Sequence, residues 1–256
     1  MQLSFNKLRT FGECALKYRY AYVERLPRPP VKSLLFHRRL HAALARYHLL
    51  ARRDGQVRLD ELLGVYRESM QADRDPSVEQ TKAYQEGEAI LRLYHQTESA
   101  RERVPAYLEH KLRVPFGPYT LTGVVDRIDF ADGGGYSLVD YKLDRELPEG
   151  NAADRSPQLS FYALIVFEGL GVLPDELRLH FLRHGVEHVS HRGRSDLAAT
   201  VGWVDEAAAR MREERRWSPS EGAGCRTCAF WAHCPAKTGR PRPPAPVWQQ
   251  GALDLG

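Results

Sequence analysis

The chain has 256 residues, 43% of them hydrophobic and 27% charged, with a net charge of +4. A chain of this size needs no staple to build a core, no run approaches the ~18 apolar residues of a membrane span, and the N-terminus lacks the apolar stretch of a secretory signal. A cytoplasmic globular protein without a membrane partner is expected, and its mild positive charge is compatible with a nucleic-acid partner without establishing one.

In chain order, Ser4 to Arg25 carries Leu8, Phe11, Ala15, Tyr18 and Tyr22 at helical spacing, ended by Pro27, Pro29 and Pro30. A second helix is predicted to start after Ser33 as N-cap and to reach about Arg52, with Phe36, Leu40, Leu44 and Tyr47 on its apolar side. Residues 58–104 read as further amphipathic helices broken near Asp75 and Pro76. From Ala106 the period changes. "YLEHKLRVPF", "YTLTGVVDRIDF" and "YSLVDYKL" form three short strands in a meander. Ser156 and Pro157 then open an apolar helix as N-cap and first-turn Pro. "ELRLHFLRHG" reads as a buried strand, and Asp196 to Arg216 as a closing helix. The tail from Thr238 is Pro-rich and reads as extended or disordered. Helices, three strands, helix, strand, helix predict a mixed α/β core with an N-terminal helical lobe.

Side chains alternate along a strand. Asp140 and Lys142 therefore share one face with Leu138, and Asp126 shares a face with Val124, Ile128 and Phe130. Two neighbouring strands each carry a carboxylate on an otherwise apolar face. If they pair, the carboxylates converge, which raises a pKa or calls for a cation. Hard oxygen ligands suit Mg²⁺ or Mn²⁺. The alternative is a structural salt bridge at a strand end, with Lys142 reaching solvent. Arg127, on the opposite face, reads as structural.

"GVVDRID" followed by "LVDYK" resembles the active-site core of the RecB-type nucleases of the PD-(D/E)XK superfamily. "QLSFY" matches that family's Gln-x-x-x-Tyr helix through Gln158 and Tyr162, and "LLFHRRLHAAL" supplies its helical histidine as His41, with His37 as the fallback. The resemblance implies a restriction-endonuclease-like core. His41, Asp126, Asp140 and the Tyr141 carbonyl would hold the metal. Asp126, Asp140, Lys142, Gln158 and Tyr162 would make the catalytic set, with Lys142 acting on the attacking water and the phosphate. Glu109 is a candidate supporting carboxylate. Arg38, Arg39, Arg46 and Arg183 are candidates for guiding a DNA backbone, or simply a solvated basic face. For Trp203, Trp217 and Trp231 core packing is expected over base stacking.

Four cysteines remain: Cys14 near the start and Cys225, Cys228 and Cys234 in "CRTCAFWAHCP". In a reducing compartment they favour metal or catalysis over disulfides. One remote cysteine plus a C-x₂-C-x₅-C trio resembles the iron–sulfur subgroup that includes the AddB nuclease domain and CRISPR adaptation nucleases. The resemblance implies a 4Fe–4S cluster clasping the two ends of the domain; zinc and unligated thiols are the alternatives. One nuclease domain is expected over residues 1–237, with a helical insert at about 55–104 and a flexible tail at 238–256. The tail's Gln250, Leu253 and Leu255 offer a weak likeness to sliding-clamp docking peptides. The expected activity is hydrolysis of DNA, on single strands or single-stranded ends, as an exonuclease or flap nuclease in repair. Trimming DNA before CRISPR integration and a non-catalytic iron–sulfur DNA-binding subunit are the alternatives.

Overall fold

The computed structural model of the protein describes residues 1–28, 32–71, 82–101, 103–131 and 134–237. The tail and the break near Asp75 and Pro76 lie outside these residues. Seven α-helices and six β-strands are present among them. The predicted single N-terminal helix is broken at Cys14. Helix α1 (Phe5–Glu13) is capped by the Ser4 hydroxyl, which accepts from the Lys7 N–H at 3.4 Å. Cys14 is extended, with φ −164° and ψ 113°, and its sulfur caps the next turn by accepting from the Lys17 N–H at 3.4 Å. Helix α2 (Ala15–Tyr18) then runs into a π-turn over Arg19–Val23. A helical spacing of apolar residues survives such a break, so periodicity alone does not reveal it.

Helix α3 (Lys32–Asp54) is under way at Lys32, so Ser33 lies inside it rather than capping it. Helices α4 (Leu59–Gln71) and α5 (Lys82–Glu98) follow. Strands β2 (Pro105–Phe116) and β3 (Tyr119–Phe130) form a hairpin. Phe116 pairs with Tyr119, and the first residue of the two-residue loop, Gly117, has φ 51°. Glycine adopts that conformation without the clash a Cβ would bring. Strand β4 (Tyr136–Lys142), helix α6 (Pro157–Leu170) and strand β5 (Glu176–Phe181) make a parallel crossover unit. The start of α6 is as expected: the Ser156 hydroxyl accepts from the Leu159 N–H at 3.2 Å, with Pro157 in the first turn. The predicted strand from Glu176 ends at Phe181 and turns back as β6 (Val186–Ser190) before α7 (Arg194–Glu213) closes the chain of large elements. Strand β1 (Gln2–Leu3), too short to leave a periodic signal, runs parallel to β3.

The six strands form one mixed sheet in the order β1-β3-β4-β5-β6, with β2 on the other edge of β3. One face packs on α1, α6 and α7 through Leu121, Ile128, Leu138, Phe161 and Leu164. Helices α3 to α5 cover the other through Leu40, Leu62 and Leu91 against Val139, Tyr141 and Leu182. A strand buried on both faces reads as a continuous apolar run, which is why "SLVDY" lacks alternation. Each large side chain fully buried here contributes on the order of 1.5–3 kcal/mol.

The α3–α5 layer is also joined to the sheet by ions. Arg127 has 0% exposure. Its guanidinium pairs with Asp129 at 2.8 Å and Glu98 at 2.9 Å, and donates to the Tyr94 hydroxyl at 2.8 Å. Tyr94 in turn meets the Tyr141 hydroxyl at 2.8 Å. Beside it, Glu187 accepts from Arg103 at 2.7 Å and 2.9 Å and from Arg101 at 2.7 Å. Glu98, His180 and Glu187 bring potential ligand atoms within 4.8 Å of one another. The surrounding arginines already balance their charge and would repel a cation. Removing one partner of such a buried set costs about 3–5 kcal/mol.

Two groups of this cluster, His180 and Glu187, respond to acid in the same direction. Burial lowers the His180 pKa to about 4, against the pull of Glu187 and Glu98. For Glu187, burial alone would raise the carboxyl, but the Arg103 hydrogen bond and the charges of His180, Arg103 and Arg101 bring it to about 2. Both groups bind protons more readily when unfolded, so the stability they contribute is full at neutral pH and falls on acidification. The His180 contribution is lost from about pH 6.5 down to 4, and the Glu187 contribution from about pH 4.5 down to 2. The melting temperature is expected to fall steadily from pH 7 to pH 4 by calorimetry. A His180→Phe variant should show a shallower fall over that interval.

Candidate active site

Strand register brings three carboxylates into one row. Leu108 pairs with Arg127 and His110 with Val125, so Glu109 stands across from Asp126. On the other side of β3 the last pair is Arg127 with Val139, and one step further sets Asp126 across from Asp140. Glu109, Asp126 and Asp140 thus form a transverse line over β2, β3 and β4. The ladder opens here, and Asp126 turns its carboxylate to accept the Tyr141 N–H at 2.8 Å. Glu109 itself has φ 44°. Such a backbone is sparsely populated by non-glycine residues and persists where the surroundings over-determine it.

Each end of the row is held by a helix. From α3, His41 places Nδ1 3.4 Å from Asp126 and 3.6 Å from Glu109. Burial alone would lower the imidazole pKa, but the charge and hydrogen bonding of Asp126 and Glu109 raise it to about 10. Burial also opposes ionisation of Asp126, yet His41 and the Tyr141 N–H hold its pKa below the ordinary carboxylate range. From α6, the Gln158 amide donates to Asp140 at 2.9 Å and to the Tyr162 hydroxyl at 3.2 Å. Lys142 meets Asp140 at 2.6 Å and donates to the Gln158 carbonyl oxygen at 2.8 Å. Burial pushes the Asp140 carboxyl up, with Lys142 opposing and Asp126 adding to the rise. Tyr162 is raised by burial and then by the charges of Asp140 and Asp126.

All the residues expected at the site are therefore in one connected set: His41, Asp126, Asp140, Tyr141, Lys142, Gln158 and Tyr162. His37 is buried one turn before His41; burial and the neighbouring His41, Arg183 and Lys142 charges bring its pKa to about 4. It is the neutral histidine of the two. Glu109, expected to support the site from outside, has its carboxylate on His41. Its signal lies in the three-strand register, which the sequence does not print. Of the basic residues, Arg183 is held by Glu86 and by the Leu143 carbonyl, and Arg39 lies on the Met70 sulfur, while Arg38 and Arg46 are exposed on α3. Trp203 packs on Phe5, and Trp217 stacks on Tyr18 at 6.2 Å. Lys237 lies over the Trp231 ring.

A second constellation joins the chain ends. The Cys14 sulfur accepts the N–H groups of Lys17 and Ser220, each at 3.4 Å. Short 3₁₀ turns at Ala223–Thr227 and Trp231–His233 carry the other cysteines past it. Burial raises the Cys228 thiol against the opposing Phe230 N–H and Lys17 charge, and the charges of Cys14 and Cys225 add to the rise. The Tyr20 hydroxyl donates to the His233 carbonyl at 3.0 Å, tying the two segments.

A mixed sheet between helical layers, with a carboxylate row and a lysine at its centre, defines a class of hydrolytic enzyme. Residues 2–235 match the PD-(D/E)XK nuclease superfamily, and the chain belongs to it. Members of that superfamily are nucleases that use divalent metals, typically Mg²⁺ or Mn²⁺. Among solved structures, the chain is similar to a candidate exonuclease from Eubacterium rectale, at 11% identity and TM-score 0.54 over 89% of this chain and 86% of that one. The crystal structure of SSO0001 matches at 16% identity and TM-score 0.45 over 92% of this chain and 86% of that one. No curated protein matches the sequence. No helix among the described residues is long and apolar enough to cross a membrane.

The glycine of "GVVD" has a local reason. A Cβ at Gly123 would stand 2.6 Å from the Ile165 side chain and 3.2 Å from the Tyr162 ring. The close approach seats α6 on β3 and so aims Gln158 and Tyr162 at Asp140. Gly123→Val is expected to destabilise the protein by about 1–3 kcal/mol, the usual cost of overpacking. Urea denaturation measures it.

Proposed function

We propose that the protein is a metal-dependent deoxyribonuclease that hydrolyses phosphodiester bonds in single-stranded DNA or at single-stranded ends. The reading rests on one observation: Asp126 and Asp140 face one another across adjacent strands, with His41 on one side and Lys142 on the other. The donor set fits a hard divalent cation. His41 Nδ1 and an Asp126 oxygen are 3.4 Å apart, close enough for both to reach one small ion, and carboxylate and carbonyl oxygens are the donors such an ion prefers. His41, Asp126, Asp140 and the Tyr141 carbonyl would hold the ion.

When bound, Mg²⁺ or Mn²⁺ supplies Lewis acidity toward a phosphodiester and makes water a stronger acid. The chain's own groups do the rest. Lys142 presents an ammonium to a phosphate oxygen, where it offsets charge gained in the transition state. Gln158 bridges Asp140, Lys142 and Tyr162, so it fixes the rotamers on which that placement depends. Tyr162, kept protonated by its buried setting, offers a hydroxyl proton to a neighbouring oxygen. Action from a strand end, as an exonuclease, accords with the name of the Eubacterium rectale protein of the same fold.

The four cysteines are read as ligands of a 4Fe–4S cluster that clasps α2 to the C-terminal segment. Thiolates are stabilised by backbone N–H donors, and the two N–H groups on Cys14 suit one. The cluster would close a loop of nearly the whole domain, which restricts the unfolded chain. Its role in this reading is structural.

End-labelled single- and double-stranded DNA, incubated with Mg²⁺ or Mn²⁺, tests the catalytic assignment. Asp140→Asn and Lys142→Met are each expected to lower cleavage by about 10²-fold or more. Activity equal to wild type in both variants contradicts it. Separately, protein purified without oxygen should be brown and absorb near ~400 nm, where Zn²⁺ has no band. Cys234→Ala should lose that absorption.

A further inference from the structure

We propose that a cavity beside Lys142 receives the unpaired base of the nucleotide next to the scissile phosphate, and so selects single-stranded DNA. The inference rests on the nuclease reading above and names what lets that site choose its substrate. The cavity holds about 370 Å³, within the range of small-molecule sites. Leu179 and Phe181 line it from β5, and Leu147, Pro148 and Ala152 line it from the segment between β4 and α6. In the parallel register Leu179 pairs with Asp140 and Phe181 with Lys142. The apolar lining therefore lies one strand, about 4.8 Å, from Asp140 and Lys142 and on their face of the sheet. Lys142 belongs to both places: its ammonium is on Asp140 and Gln158, and it also borders the cavity. A phosphate held at the carboxylate row has its own nucleoside within reach of that cavity.

The charge at the mouth argues for a base rather than a second phosphate. Asp144, Arg145 and Glu146 also line the cavity. With Lys142 they set two carboxylates against two cations, and the Lys142 ammonium is already paired with Asp140. No positive excess is left for a phosphate. A neutral ring suits this lining, with apolar faces for Leu147, Leu179 and Phe181 and an amino-bearing edge for a carboxylate. Leu147 is 41% exposed, an apolar side chain left at an open mouth. The walls are set before any ligand arrives. His188 packs edge-on against Phe181 at 4.9 Å and accepts the Ala152 N–H at 3.1 Å. The Asn151 amide donates to the Val189 carbonyl at 2.7 Å, and Arg192 to the Ala153 carbonyl at 2.8 Å. Such preorganisation lowers the ordering cost of binding. A base inside a duplex is paired and stacked, and would have to be extruded to enter.

Fluorescence anisotropy of the full chain in EDTA, where the DNA is not cut, tests the proposal. The probes are a labelled oligodeoxycytidine and a strand of the same length that is abasic throughout. Wild type is expected to bind the strand with bases at least about 10-fold more tightly. Leu147→Gln makes the mouth polar and Ala152→Phe fills the cavity, and neither changes the net charge. Both should remove the preference for bases while leaving affinity for the abasic strand as in wild type. Melting temperatures check folding, and Leu147, being exposed, provides a variant that leaves the core intact. A preference for bases kept in full by both variants overturns the pocket, as does its absence in wild type. An equal loss of affinity for both strands assigns the variants an effect on the backbone path and also overturns it. Cleavage of the oligodeoxycytidine by wild type with Mg²⁺ separates the two readings. Cleavage together with an unaltered preference in the variants removes the pocket and leaves the nuclease; no cleavage and no binding of either strand removes both.

Discussion

Three carboxylates lined up across adjacent strands repel one another, and the surrounding fold is arranged to hold them there. The β2–β3–β4 meander fixes the spacing through backbone pairing, which does not yield to side-chain repulsion. A one-residue slip in either hairpin would send the carboxylates to opposite faces. The short Gly117-Pro118 loop and the long β2–β3 ladder guard against that slip. Helix α3 supplies the positive partner as His41, and α6 supplies the neutral bridge as Gln158. The site is thus a junction of the two helical layers with the middle of the sheet.

Under the row, the opposite face of the same strands carries Arg127 and Tyr141. Their contacts with Glu98, Tyr94 and His48 run into α3 and α5. Successive residues Asp126 and Arg127 therefore serve two faces: one presents charge to the open end of the sheet, the other anchors the helical layer that carries His41. The segment expected as an insert provides half of that anchor, through Tyr94 and Glu98. Buried ions of this kind contribute little net stability against apolar packing, but they tolerate only one arrangement of partners. That restriction suits a layer that sets His41 against Asp126.

Much of this was legible in the sequence, and the rest fails for identifiable reasons. The change of period at Ala106, the Ser156-Pro157 helix start and the alternation of Asp140 with Lys142 are local signals, and each corresponds to an element or a face. Pairing between strands is not local. Glu109 could be placed on a strand but not opposite Asp126, because register depends on where β2 meets β3. The break at Cys14 hides inside a helical spacing, since the chain resumes a helical turn at once. Strands β1 and β6 are too short, or too mixed in polarity, to stand out. Ser33 misleads as a cap because good capping residues also occur inside helices.

The cysteine constellation and the carboxylate row lie at different places and answer to different forces. One lies where the segment around Cys14 meets that around Ser220 and His233; the other gathers charge at the middle of the sheet. Hydrolysis would depend on the second. Anomalous diffraction from a crystal grown with Mn²⁺, recorded at the manganese edge, addresses it directly. A single strong peak bounded by His41, Asp126 and Asp140 is the predicted result. Density elsewhere, or an empty junction with the His41–Asp126 pair intact at saturating Mn²⁺, would contradict it.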